Sequence, residues 1–289
     1  MNTSVNILVA GATGKQGGSV VRHLQARGFR IRALTRDPDS DKARWLKDAG
    51  VNLVRGDLTD AASLRPALEG VTGVFSMATP FEAGLEAEIA QGTTLGDAAK
   101  AAGVGHYVYS SVGGADRRSG VPHFESKWQI EEHLRGLGLP LTIFRPAYFM
   151  ENLPHYGVQP SDEGLIVSMP LSPTTKVQMI AFDDIGAFVA AAFADPETWA
   201  GKEVELSGDE LTLPDAVERI SRRIGLPVTY KQIPGEAVRA WNEDLALMYE
   251  FFERGGYQAD IGALREILPG LKTFDQWLGA GGVDMLKVP

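Results

Sequence analysis

The chain has 289 residues, a formal net charge of −9, 44% hydrophobic and 22% charged residues. That is the composition of an ordinary globular protein able to bury a sizeable core, and its acidity argues against a general nucleic-acid surface, because such binding rests on neutralising phosphates. Without a single cysteine, disulfides, thiol nucleophiles and thiolate metal sites are excluded.

The start, Met1-Asn2-Thr3-Ser4, runs straight into the apolar run Asn6-Ile7-Leu8-Val9-Ala10. That leaves no room for a signal peptide, and no apolar stretch is long enough to span a bilayer. The expected location is the cytoplasm, with no membrane contact.

The first strand breaks into Gly11-Ala12-Thr13-Gly14-Lys15-Gln16-Gly17 and restarts as a helix at Ser19-Val20-Val21-Arg22-His23-Leu24. Gly11 suits the tight turn, Gly14 lets backbone approach a pyrophosphate, and Gly17 lets the helix pack close to the strand. The helix N-terminus offers free N–H groups and a positive dipole end to the anion. A dinucleotide site is expected here.

Strand-like and helix-like segments then alternate. Strands are read at 29–35, 51–55, 73–77, 106–110 and 141–145, and helices at 41–49, 61–68, about 85–102 and 125–137. Six such units predict an α/β, doubly wound parallel sheet with right-handed crossovers. Past Pro146 the rhythm changes: Pro154, Pro160, Pro170 and Pro173 suggest loops over the carboxyl edge. A helix over 184–194 and a strand over 202–206 follow, and the region after Leu213 reads as mostly helical. The expected organisation is a nucleotide-binding domain, 1–153, to which strand and helix return near 177–207. A smaller, mostly helical and discontinuous C-terminal lobe, 154–289, would close over it on the substrate or partner side.

The second strand ends in Thr35-Arg36-Asp37-Pro38. Where an NAD site usually carries a carboxylate, Arg36 offers a guanidinium fork suited to a 2′-phosphate, with Lys15 and Lys42 adding charge. NADP(H) is therefore expected ahead of NAD, although Asp37 offers a carboxylate to a ribose. Asp57 is placed to meet the adenine amine or, alternatively, to cap the next helix with Thr59 and Asp60. Ala78, Thr79 and Pro80 lie where backbone passes the middle of the cofactor, or simply serve the turn.

Together with Tyr109-Ser110-Ser111-Val112, His123-Phe124-Glu125-Ser126-Lys127, Arg145 to Asn152, Ala181 to Gly186 and Gly201 to Leu206, these motifs resemble the NmrA-like family. That family is an atypical branch of the short-chain dehydrogenase/reductase superfamily, and the resemblance covers nearly the whole chain. It implies a Rossmann domain, NADP(H) as cofactor and a cleft beneath the carboxyl lobe. It also implies that Gly11 to Gln16 hold the pyrophosphate and Arg36 the 2′-phosphate. Asp57 and Leu58 would border the adenine, Ala78 to Pro80 the central ribose, and Lys127 the nicotinamide ribose. Tyr148, Phe149, Met150 and Glu151 would flank the nicotinamide. One departure is Ile89-Ala90-Gln91, where a sensor-like member has a phosphate-binding lysine.

In dehydrogenases of this superfamily a tyrosine four residues before the lysine supplies a proton, and a serine after the fifth strand holds the substrate carbonyl. Here Ser110 and Ser111 fit, but the tyrosine position is His123. His123 is either a proton donor or a loop histidine preceding the helix. Lys127 is either a general acid or base or a ribose anchor. Phe81, Phe124, Tyr148, Phe149 and Met150 make either an apolar slot for an acceptor or ordinary core. Trp241, Tyr249, Phe251 and Phe252 read as core of the carboxyl lobe. His23, His106, His133 and His155 show no metal-ligand spacing, and no Gly-x-Ser-x-Gly turn surrounds either serine. Two functions are consistent with this pattern. One is an NADPH-dependent reductase of a small flat acceptor of quinone or enone type; the other is a non-catalytic NADP(H) redox sensor acting through a protein partner. A sugar-nucleotide epimerase fits poorly without the tyrosine.

Overall fold

The computed structural model describes residues 5–156, 158–161 and 164–286; the Met1–Ser4 start and the His155 side chain lie outside what is described. Its strands are, in chain order, β1 (Asn6–Val9), β2 (Arg30–Thr35), β3 (Asn52–Arg55), β4 (Gly73–Ser76), β5 (His106–Ser110), β6 (Leu141–Pro146), β7 (Tyr148–Phe149), β8 (Val158–Ser161), β9 (Gly164–Met169), β10 (Lys176–Ile180), β11 (Glu203–Leu206), β12 (Asp209–Thr212) and β13 (Val228–Gln232). Seven form one sheet in the order β11-β6-β5-β4-β1-β2-β3, and every pairing in it is parallel. The expected doubly wound α/β architecture is therefore the observed one. The strand order reverses between β1 and β4, which opens a crevice at their carboxyl ends.

Both faces of this sheet are buried, as parallel sheets require. Along β1, Ile7 and Val9 join a core beneath helices Lys15–Ala26 and Phe182–Ala194. Leu8 and Ala10 join the opposite core, beneath helices Ala61–Leu68, Leu85–Ala101 and Pro122–Gly136. The first two of these helices touch closely because Gly186 has no side chain; a Cβ there would lie 2.3 Å from Ser19 Oγ. Their contact is fastened by His23 on Asp183 at 2.9 Å, while Lys272 Nζ, from the carboxyl lobe, holds Asp183 and Asp184 at 2.7 and 2.9 Å.

A third core, with Val121, Phe124, Tyr148, Met150, Phe251, Phe252, Phe274 and Trp277, fills the carboxyl lobe and reaches under the end of the sheet. The stretch expected to be irregular is more ordered than its prolines suggested. It holds β8 and β9, which β13 extends into a three-stranded sheet, while β12, β10 and β7 form another. Pro160 sits on the exposed edge strand β8, where a missing N–H costs nothing in the ladder. Trp241 corrects a second expectation: it is 68% exposed rather than core, whereas Tyr249, Phe251 and Phe252 are buried.

Candidate functional site

The glycine-rich turn sits at the carboxyl end of β1, at the strand-order reversal. Gly11 takes φ +67° and a Cβ there would meet Met77 Sδ at 2.9 Å. Its carbonyl accepts from Gly14 N at 2.9 Å, closing the turn. Gly17 is the tightest position, since a Cβ would stand 2.2 Å from the Gly11 oxygen and 2.5 Å from its carbon. Only glycine lets the helix start so close to the strand. The helix Lys15–Ala26 begins after Gly14 with no side-chain cap and no acid in its first turn, so its amides are open to an anion. Gly11, Gly14 and Lys15 are exposed, Thr13 is half-buried, and Ala12 packs inward. Gln16 is buried and donates to Ser110 Oγ at 2.5 Å, tying the turn to the end of β5. These features fit a pyrophosphate.

Arg36, leaving β2, is exposed and donates to Glu82 at 3.1 Å. That surface pair is weak and leaves most of the guanidinium fork available. Asp57 accepts from the Thr59 amide at 2.8 Å and hydroxyl at 2.7 Å, which hold its carboxyl below the usual range. The cap of the next helix is Asp60, which accepts from Ala62 N. Leu58 beside it packs against the sheet core and is half-buried.

The loop after β4 gathers the remaining groups. Ala78 offers its carbonyl to Lys127 Nζ at 2.9 Å, Thr79 caps the short helix Pro80–Ala83, and Phe81 lies 5.8 Å from the His123 ring. Lys127 Nζ also donates to Glu88 Oε1 at 2.7 Å, and Ser126 Oγ to Glu88 Oε2 at 2.5 Å. Glu88 has no solvent exposure. Its place follows from helix packing: Glu88, Gly92 and Gly96 lie four residues apart along Leu85–Ala101. Cβ atoms at Gly92 and Gly96 would fall 2.7 Å from Ile130 and 2.5 Å from Leu134. The two helices thus approach closely enough for a short carboxylate to reach Lys127.

His123 lies in the first turn of helix Pro122–Gly136, not in a loop ahead of it, and is one helical turn from Lys127 on the same face. Its Nδ1 is 2.6 Å from Oδ1 of Asp244, which comes from helix Glu243–Glu253 of the carboxyl lobe. Ser111 is buried and its hydroxyl has no hydrogen-bond partner among the described residues.

The segment after β6 is mostly turned away. Tyr148 and Met150 are buried in the carboxyl-lobe core, and Phe149 packs on Phe182 with ring centroids 4.5 Å apart. Glu151 accepts from Phe182 N and Trp277 Nε1, both at 3.1 Å, and burial raises its carboxyl above the usual range. Phe124 is core as well, so of the four slot aromatics and Met150 only Phe81, 69% exposed, meets solvent broadly. No group of three or more His, Asp or Glu able to hold a metal occurs among the described residues. No helix among them is long and apolar enough to cross a membrane. An open cleft of about 390 Å³ lined by Asn6, Gln25, Arg30 and Asn52 lies at the amino ends of β1–β3, the opposite edge from these groups.

Glu88 and Asp244 were not singled out from the sequence. A carboxylate in register with Gly92 and Gly96 on a helix face was a legible sign of a buried partner. Nothing local marked Asp244, which meets its partner across 121 residues.

A dinucleotide cradle at the reversal of a parallel sheet, with an arginine after β2 and a helix-borne lysine, defines a Rossmann-type nucleotide-binding protein. The model of the NmrA-like family matches residues 3–278, and the chain belongs to that family. It is 30% identical to an NmrA-like family domain-containing protein of Dictyostelium discoideum, covering 95% of this chain and 97% of that one. It is 33% identical to an NAD(P)H azoreductase of Xenophilus azovorans, over 81% and 79%. The solved structure of NmrA, a negative transcriptional regulator, in complex with NADP is similar at TM-score 0.77 and 25% identity, over 94% of each chain.

Proposed function

We propose that this protein is an NADPH-dependent reductase that delivers hydride to a small, flat, mostly apolar acceptor such as a quinone, an enone or an azo compound. The observation that carries it is the uncapped helix N-terminus over Gly17, flanked by Arg36 on one side and the Glu88-held Lys127 on the other. NADPH, when bound, supplies the hydride and its electron pair. Gly11, Ala12, Thr13, Gly14, Lys15, Gln16 and Gly17 hold the pyrophosphate, and Arg36 the 2′-phosphate. Asp57 and Leu58 border the adenine, Ala78, Thr79 and Pro80 the central ribose. Lys127, with two of its three donors fixed on Glu88 and Ala78, turns the third to the nicotinamide ribose. Tyr148, Phe149, Met150 and Glu151 offer backbone to the nicotinamide end, because most of their side chains are committed to the core. Ser111 offers its unpaired hydroxyl to the acceptor carbonyl. Residues 154–289 form the acceptor side, and the protein acts in the cytoplasm. Similarity to an NAD(P)H azoreductase supports this reading.

Purified protein is expected to bind NADPH more tightly than NADH and to oxidise it steadily with such acceptors. Binding without turnover on any acceptor overturns it. A second reading, an NADP(H) sensor acting through a protein partner, is favoured by the missing tyrosine at position 123 and by similarity to a transcriptional regulator. It requires unequal affinity for NADP⁺ and NADPH, with a change in proteolytic pattern on binding.

A further inference from the structure

Among the described residues, Asp244 is a carboxylate that the carboxyl lobe sets against the first turn of the helix of Lys127. It does two things there. Oδ1 lies 2.6 Å from His123 Nδ1, and the same oxygen accepts from His123 N at 3.4 Å. The helix Pro122–Gly136 has no side-chain cap of its own, so this oxygen replaces one from another lobe. The imidazole also meets two aromatic rings: Phe124 edge-on at 4.7 Å, and Phe81 tilted at 5.8 Å. With Nδ1 donating to the carboxylate, the tautomer is set and Nε2 is left as the nitrogen that exchanges a proton. Phe81 ties this ring to the same short loop whose Ala78 carbonyl binds Lys127. Phe81, against this ring, is among the most exposed large apolar side chains of the described residues and offers an apolar edge to a flat acceptor.

We propose that Asp244 is a positioning residue that holds His123 as the proton source for the reduced acceptor. This rests on the reductase reading above. The Nε2–H bond of the protonated imidazole breaks, and an O–H or N–H bond forms on the acceptor that has received the hydride. Neutral His123 then recovers a proton from solvent, so one NADPH and one proton are consumed for each acceptor reduced by two electrons. A neutral quinone or azo compound needs that proton. A cationic triarylmethane acceptor does not, because hydride alone neutralises its central carbon.

The test compares Asp244→Asn and His123→Gln with the wild type on a neutral quinone and on a cationic triarylmethane dye. The ratio of quinone to dye kcat is expected to fall at least about tenfold in both variants and to recover in Asp244→Glu. A ratio within about twofold of wild type overturns the proposal, as does an equal loss on both acceptors. A wild-type protein that binds NADPH but reduces neither acceptor removes the reductase reading, and the proton step with it. Proton NMR of the nucleotide-free protein supplies a readout independent of turnover. A far-downfield imidazole N–H resonance is expected in the wild type and absent from both Asp244→Asn and His123→Gln. Its absence from the wild type overturns the pairing itself.

Discussion

Lys127 Nζ lies 2.7 Å from Oε1 of Glu88, a carboxylate with no solvent exposure whose other oxygen accepts from Ser126. Neither partner is placed by its own helix alone; the glycine-mediated contact between the two helices brings them together.

Breaking a buried pair by neutralising one partner strands the other and costs about 3–5 kcal/mol when both are dry. Lys127 keeps some water, so Glu88→Gln is expected to cost about 2–3 kcal/mol, read from urea unfolding. NADPH affinity should fall at least severalfold, because Lys127 loses its fixed position. Lys127→Ala discriminates the two roles of the lysine. A pure anchor weakens nucleotide binding and leaves some turnover, whereas a chemical role abolishes turnover even at saturating NADPH.

Gly17→Ala puts a methyl 2.2 Å from a backbone oxygen that cannot rotate away. The helix must shift, with a cost of about 1–3 kcal/mol from overpacking. Calorimetry should show NADPH binding weakened at least about tenfold, equivalent to about 1.4 kcal/mol. Undiminished affinity would remove the cradle from the site.

Arg36→Asp exchanges a guanidinium for a carboxylate at the end of β2. Charge-assisted hydrogen bonds contribute about 1.5–3 kcal/mol each, so the NADPH-to-NADH affinity ratio should fall about 10- to 100-fold. An unchanged ratio would falsify the assignment. Glu82→Gln should act in the opposite direction and weakly, because the exposed Arg36–Glu82 pair contributes at most about 1 kcal/mol.

His106, at the start of β5, is buried against Thr142 at 2.8 Å and Phe193, and burial lowers its imidazole to about 4. The unfolded chain takes up that proton near pH 6.5, well before the folded one. Stability from this residue is therefore complete above pH 6.5 and lost as pH falls towards 4, by about 3 kcal/mol in total. Denaturant titrations across that window should show the loss, and His106→Gln should flatten it.

The glycine turn, the β-α alternation and Arg36 were legible because each depends on neighbours within a few residues. Strand boundaries of the large sheet agreed to within a residue for the same reason, each apolar run being local. The carboxyl lobe was read less well. In β9, polar Ser168, with Pro160 in β8 and Pro170 just after β9, masked a strand that pairs with the adjacent β8 and with β13 from a distant segment. An aromatic such as Trp241 reads as core from sequence, and only the fold reveals it as exposed. Glu88 carried a local sign in its register with Gly92 and Gly96, whereas Asp244 is ordinary in its own helix and acquires a role only from a partner elsewhere. His123 shows both sides: its spacing from Lys127 was visible, and its carboxylate partner was not.

An edge strand of the large sheet, β11, joins only after the chain has left β6 and passed through β7 to β10 and the helix Phe182–Ala194. It pairs with Ile143 through Pro146, while Glu203 meets the buried Arg145. A polypeptide ending near residue 153 would keep the whole glycine turn yet expose a raw ladder along β6, with a guanidinium missing one of its counterions. Such an edge recruits strands from other molecules. Splitting the protein to isolate its cofactor half should therefore yield an aggregating fragment unless it extends through residue 206, which keeps both the covering helix Phe182–Ala194 and β11.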